Sequence, residues 1–316
     1  MIDSPLWTED PDWVEQAQAW IVAQLARAGR RPSGPPVQLR RQVWSQVLEI
    51  PCEGGKFYFK AVAPQALYEV RLAQALAAWE TQLVLPVLAA DLRRGWLLMP
   101  DGGPRLREAI RSTGSADLWG EFLLRYAGFQ QRLAARLPEL HDLGVPDQRL
   151  ERLPAIFQDL LAGREFLLFG MENGLTDDQY ARLQGLPARL QILIERLAGF
   201  GLPATLNQSD LNDANIFYTE RRDGWRFAMY DWGDASLGHP FCSLRVPRVS
   251  MEISLGWEDE WDARGLPYID AYLQAWVQAG QGRWTLPQLQ HAYRLSMPLA
   301  SIGRAMEWRR AIAGAT

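Results

Sequence analysis

The sequence predicts an α+β protein in two lobes: residues 1 to 98 as a small N-terminal lobe with an antiparallel sheet, and residues 99 to 316 as a larger, mainly helical lobe. Three observations predict it. Alternating and aromatic-rich runs gather before residue 98, helical periodicities dominate after Asp117, and one further hairpin interrupts the helices after Asn215.

In chain order, Asp10 to Ala28 carries Trp13, Ala17, Trp20, Ile21 and Leu25 at helical spacing and stops near Gly29. The run R-R-P-S-G-P-P is a linker. Gln38 to Ile50 alternates and reads as one or two strands, and Glu53-Gly54-Gly55 turns the chain into a further strand, K-F-Y-F-K-A-V, that carries Lys60. A helix opens at Pro64 and holds Glu69 on its second turn. Pro86 to Leu92 is strand-like. The apolar G-W-L-L-M then runs into Pro100-Asp101-Gly102-Gly103, where glycines let the backbone turn away. From Asp117, the residues Leu118, Phe122, Leu123, Tyr126, Ala127, Phe129 and Leu133 define a long amphipathic helix. Further helices are expected over Leu153 to Ala162, over Asp177 to Phe200 with a break at Leu186-Pro187, and from Pro240 onward.

Composition narrows the function classes. With 33 basic against 37 acidic side chains and no basic block, a nucleic-acid partner is not expected. Cys52 and Cys242 stand far apart without metal-ligand spacing, which suits a reducing compartment. The first residues are acidic where a signal peptide is basic, and no apolar run approaches the roughly 18 residues of a membrane span. A cytoplasmic protein with no membrane partner is expected.

The stretch from Leu206 to Pro240 carries the chemistry. Asp210 and Asn215 lie five positions apart on a polar loop. After them I-F-Y-T, a turn at Asp223-Gly224 and W-R-F-A-M-Y read as a hairpin, so Asp231 returns close to Asn215. One carboxylate to receive a proton, with an amide and a second carboxylate on a hard cation, is a set that phosphoryl transfer from Mg-ATP requires. The blander reading is ordinary polar turn chemistry. Lys60 is likewise odd in an apolar strand unless its ammonium meets a fixed anion; its plainer reading is an edge lysine reaching water.

Asp210 and Asn215 match the D-x-x-x-x-N spacing of kinase catalytic loops, and Asp231-Trp232-Gly233 stands where kinases carry D-F-G. The wider pattern, over about Val47 to Leu244, resembles the aminoglycoside phosphotransferase family, which includes choline-kinase-like enzymes. The resemblance implies a protein-kinase-like fold and an ATP- and magnesium-dependent phosphotransferase acting on a hydroxyl of a small-molecule acceptor. It makes Asp210 the catalytic base, Asn215 and Asp231 the magnesium ligands, and Lys60, steadied by Glu69, the phosphate grip. It places the adenine edge on Met99, Pro100 and Asp101, which a simple strand-to-helix turn explains equally well. No Gly-rich loop precedes Lys60, which fits this family better than the protein kinases.

Trp257 and Trp261, with Glu258, Asp259, Glu260 and Asp262, would suit a cationic or sugar-like acceptor, although a solvated acidic loop is the simpler reading. Asp234 is expected to give outer-sphere help to the metal, and Arg304, Arg309 and Arg310 receive no role. The chain also departs from the family pattern. Gln208-Ser209 replaces His-Gly, His239 replaces the Asp of G-D-P, and Ser243 replaces an Asp that often buttresses the loop. Those departures motivate an alternative, a kinase-like nucleotide-binding protein with little or no catalysis.

Overall fold

The computed structural model describes residues 11–172, 174–222 and 224–313. The chain is α+β and divides into two compact units. One comprises Met1–Arg105, Asn215–Gly233 and Arg310–Thr316; the other comprises Leu106–Ala214 and Asp234–Arg309.

The first unit opens with helix α1 (Pro11–Arg27), then strands β1 (Val37–Arg41), β2 (Ser45–Cys52) and β3 (Gly55–Val62). Helix α2 (Leu67–Trp79) follows a short turn at Pro64–Ala66, and β4 (Ala89–Asp91) and β5 (Trp96–Pro100) complete a five-stranded sheet in the order β1-β2-β3-β5-β4. Its neighbouring strands all pair antiparallel. β4 is shorter than the strand-like run from Pro86 to Leu92, although the Leu88 N–H just before it still donates to the Leu98 carbonyl at 2.8 Å.

Strand period fixes what each face of this sheet does. Phe57, Phe59 and Ala61 of β3 join Ile50, Trp96 and Leu98 in the core beneath α1, whose Ala17, Ile21 and Leu25 are buried there. Trp13 and Trp20 lie at 6.5 and 6.0 Å from the Phe59 ring. Lys60, between Phe59 and Ala61, therefore projects from the opposite face.

The second unit begins with α3 (Leu106–Thr113), α4 (Asp117–Ala134), α5 (Leu137–Asp142), α6 (Leu153–Ala162), α7 (Asp177–Gln184), α8 (Pro187–Ala198) and strand β6 (Thr205–Gln208). The chain then returns to the first unit as the hairpin β7 (Ile216–Arg221) and β8 (Gly224–Met229), paired from Ile216↔Met229 to Arg221↔Gly224. Its expected turn residue Asp223 lies outside the described residues. Back in the second unit come β9 (Ala235–Gly238), paired with β6, then α9 (Arg245–Leu255), α10 (Trp261–Arg264), α11 (Leu266–Ala279) and α12 (Leu286–Ile312). The apolar stripe predicted on α4 is the core of this unit: Phe122, Tyr126 and Phe129 are fully buried, and Tyr126 stacks on Tyr272 of α11 at 6.4 Å. Short β6 and β9 escape sequence reading, since four residues carry too little periodicity.

Phe59→Ala should destabilise the first unit by about 3–5 kcal/mol, through the cavity left beneath Trp13 and Trp20. Leu39→Ala, at an exposed position, should change stability by less than about 0.5 kcal/mol. Urea unfolding of both variants checks the contrast.

Candidate active site

In the first unit, three of the residues singled out in the sequence meet at one ammonium. Lys60 Nζ donates to Glu69 Oε1 at 2.6 Å and to Asp231 Oδ1 at 2.7 Å. Lys60 is only 7% exposed and Glu69 3%, whereas the Asp231 side chain is 33% exposed. Burial works against the ammonium, but Asp231 and Glu69 outweigh it and hold Lys60 above the ordinary lysine range. Burial also pushes the Asp231 carboxyl up, yet the charge and hydrogen bond of Lys60 prevail and lower it.

Backbone geometry aims Asp231 at this lysine. β8 ends at Met229, and the Tyr230 N–H donates to the Asn215 carbonyl at 3.3 Å, so the hairpin sets the two flanks side by side. Asp231 itself takes φ of 62°, a left-handed conformation that aspartate tolerates better than most residues. Two residues on, Gly233 packs tightly: a Cβ there would sit 3.0 Å from Glu69 Oε2. The Tyr68 hydroxyl donates to the Gly233 carbonyl, so α2 holds both sides of the Asp-Trp-Gly turn.

Asn215 is buried beside this turn. An amide oxygen and a carboxylate form an all-oxygen donor set, the chemistry a hard divalent ion such as magnesium takes. The residues therefore fit the ion in kind.

Met99 lies opposite Tyr58 and Pro100 opposite Phe57 at the end of β5. Met99 also lines a small apolar cavity with Leu85, Leu97 and Met229, and Glu69 and Asp231 are among its walls. Asp101 is exposed, and its groups serve a turn: its N–H donates to the Lys56 carbonyl at 3.2 Å and its Oδ1 accepts from Gly103 N–H at 3.2 Å. Gly102 is sterically required, because a Cβ there would lie 2.1 Å from the Phe217 ring of β7.

In the second unit, Asp210 follows β6 in a loop with dense local bonding. Its N–H donates to Gln208 Oε1 at 3.3 Å, and its Oδ2 accepts from Asn212 Nδ2 at 3.1 Å. Downstream, buried Asp213 accepts from Arg107 Nε at 2.6 Å and from the Ser254 hydroxyl at 2.9 Å. The positions that depart from the family pattern are all engaged. The Gln208 N–H donates to the Tyr126 hydroxyl at 3.1 Å, and Ser209 and Ser236 hydroxyls bond at 3.1 Å. Gln130 Nε2 reaches Asn207 Oδ1 at 2.9 Å and Ser243 Oγ at 3.3 Å. Burial depresses His239 to about 3, so it is neutral, and its Nδ1 accepts from the Phe241 N–H at 3.3 Å. An uncharged network stands where the pattern has aspartates.

One residue given no role in the sequence reaches Asp210. Arg304 of α12 donates from Nη2 to Asp210 Oδ1 at 2.8 Å and from Nη1 to Asp234 Oδ2 at 2.5 Å. Asp234, expected near a metal, is instead tied to this guanidinium. Burial opposes the Arg304 charge, and Asp234 and Asp210 outweigh it. The acceptor reading of the acidic loop also needs correction. Trp257 and Trp261 are buried; the first stacks on Tyr268 at 6.1 Å, and the second lies under the Arg248 guanidinium at 5.1 Å. Their faces are used in packing, while Glu258, Asp259 and Glu260 point to solvent.

No protein-family model matches the chain, and no curated protein is similar to it in sequence. Its structure does have relatives. An ethanolamine kinase from Plasmodium vivax superposes with a TM-score of 0.59 at 11% identity, over 89% of this chain and 77% of that one. A macrolide 2'-phosphotransferase of type I gives 0.56 at 15% identity, over 94% and 95% of the two chains. An aminoglycoside phosphotransferase from Streptomyces rimosus gives 0.51 at 18% identity, over 90% and 98%. The chain has the fold of these phosphotransferases. In this phosphotransferase fold, the five-stranded sheet supplies Lys60 and the hairpin supplies Asp231.

Removing the lysine should leave two carboxylates without their cation. Lys60→Met is expected to destabilise the protein by about 3–5 kcal/mol near neutral pH. The pH dependence has a definite sign. Asp231 is lowered in the folded state, so its pairing stabilises above the unfolded value of about 3.9 and is lost as pH falls through the lower folded value. Urea midpoints of the wild type should fall more steeply below about pH 4 than those of Lys60→Met.

Proposed function

We propose that this protein transfers a phosphoryl group from ATP, with magnesium, to a hydroxyl of a small-molecule acceptor of amine, sugar or amino-alcohol type. The observation that carries the reading is the shared ammonium of Lys60, bonded to both Glu69 and Asp231 within a phosphotransferase fold. An ammonium held this way, with a helix glutamate behind it, is suited to meet the α- and β-phosphates of a nucleotide. Asn215 and Asp231 would hold the magnesium, which supplies charge neutralisation on the phosphates when bound. Met99, Pro100 and Asp101 would meet the adenine edge. Asp210, five positions before Asn215 in the chain, would accept the proton of the attacking hydroxyl.

Support for the acceptor class comes from the structural relatives, which are named as kinases or phosphotransferases of ethanolamine, macrolides and aminoglycosides. A cytoplasmic location accords with Cys52 and Cys242, both free thiols. Among the described residues, no helix is long and apolar enough to cross a membrane. The second reading, nucleotide binding without transfer, is favoured by one observation: both carboxylate oxygens of Asp210 already accept hydrogen bonds, from Arg304 and Asn212.

The two readings separate on Asp210→Asn. Under the transfer reading, magnesium and ATP together raise the melting temperature of both wild type and variant. Turnover with a panel of amines, sugars and amino alcohols falls about 10²–10⁴-fold in the variant. Equal turnover in the two proteins would remove Asp210 as the base. Magnesium-dependent binding with no turnover in either would favour the second reading.

A further inference from the structure

We propose that Arg304 is a positioning residue for Asp210, fixing the direction of its carboxylate from the last helix of the second unit. The inference rests on the reading of Asp210 as a base, and it adds a residue that the sequence pattern leaves without a role.

Three observations support it. First, the two Arg304 nitrogens are divided between two carboxylates: Nη2 on Asp210 at 2.8 Å and Nη1 on Asp234 at 2.5 Å. A planar guanidinium held at one end by Asp234 has little freedom to swing at the other, so it transmits a fixed direction to Asp210. Asn212 bonds the second Asp210 oxygen at 3.1 Å, so both ends of the carboxylate are held.

Second, α12 is shaped to bring Arg304 there. Gly303 precedes it inside the helix, where glycine is unfavourable by about 1 kcal/mol relative to alanine. A Cβ at that position would lie 2.4 Å from Gln148 Oε1. α12 comes close to Gln148 here: Gln148 Nε2 bonds the Gly303 carbonyl at 3.4 Å, and a larger residue at 303 would have to displace that amide.

Third, the charge balance makes Arg304 matter for proton affinity. Asp210 and Asp234 both bond it, and Glu307, one turn further along α12 and fully buried, lies 3.5 Å away. Three carboxylates thus face one guanidinium. Also nearby are Cys242, which senses the Glu307 charge, Arg245, which shares a small cavity with Arg304, and the Arg107–Asp213 pair further along the Asp210 loop. Without Arg304, Asp210 would lose this cation while Asp234 and Glu307 kept their charge, and its proton affinity would rise.

The test compares wild type, Arg304→Gln and Arg304→Lys in magnesium-dependent ATP turnover across pH. Arg304→Gln should lower kcat about 10–100-fold, with KM for Mg-ATP unchanged. The acid limb of its kcat/KM profile should move up by about 1–3 pH units. Arg304→Lys retains the charge, so its acid limb should return toward wild type while kcat recovers only in part. An unaltered kcat and acid limb in Arg304→Gln would overturn the proposal, as would a loss confined to KM for Mg-ATP. If Arg304→Gln does not fold, Arg304→Lys decides on kcat alone, with a fall at constant KM supporting the proposal and a wild-type value refuting it. Carboxyl-carbon NMR of the intact wild type and whichever variants fold gives a readout that needs no turnover. A wild-type Asp210 that titrates well below that of Arg304→Gln supports the positioning role even if the wild type turns over no ATP, in which case the transfer reading alone fails. Identical Asp210 titration curves in wild type and Arg304→Gln would overturn the proposal.

Discussion

A single buried ammonium organises the site in the first unit. Lys60, buried on the face of the sheet opposite α1, cannot stay charged unless anions come to it, and two do. Glu69 fixes α2 against the sheet, and Asp231 fixes the end of the β7–β8 hairpin. The Asp-Trp-Gly turn packs against α2 on this side, with Gly233 close to the Glu69 carboxylate and Tyr68 donating to the glycine carbonyl. Local strain at Asp231, with its positive φ, is tolerated because both ends of the residue are held. The arrangement leaves the Asp231 carboxylate a third exposed, one residue past the backbone bond from Tyr230 to Asn215.

The loop bearing Asp210 is secured differently. Charge anchors its two sides: Arg107 holds Asp213, and Arg304 holds Asp210 itself. Behind them lies a neutral network of Gln130, Asn207, Tyr126, Tyr272 and Ser243, with Tyr272 donating to Gln130 Oε1 at 2.5 Å. Amides and hydroxyls satisfy one another at full burial without the desolvation penalty of an aspartate. His239 and Ser243 thus brace this part of the chain through uncharged contacts, His239 Nδ1 with the Phe241 N–H and Ser243 Oγ with Gln130.

Legibility in the sequence followed the range of the interaction. The strand carrying Lys60, the helix carrying Glu69 and the hairpin leading to Asp231 each announce themselves by local periodicity. The lysine's oddness in an apolar run required an anion, and the structure supplies two. The long α4 helix was readable for the same reason. Arg304 was not readable: it lies 94 residues from Asp210, in a helix that also carries Arg309 and Arg310. Only the approach of α12, permitted by Gly303, distinguishes it. The indoles of the acidic loop, read most simply as part of a solvated loop, show the complementary limit. Composition reports that Trp257 and Trp261 have faces, but packing against Tyr268 and Arg248 decides that those faces are covered.

The central claim is that the hairpin sets Asn215 and Asp231 to grasp one divalent ion with a nucleotide. Manganese, a paramagnetic substitute for magnesium, tests this directly by electron paramagnetic resonance, which counts free against bound ion. The account predicts manganese uptake that requires ATP and weakens at least about 10-fold in both Asn215→Ala and Asp231→Asn. Manganese–ATP binding of wild-type strength in either variant would contradict it.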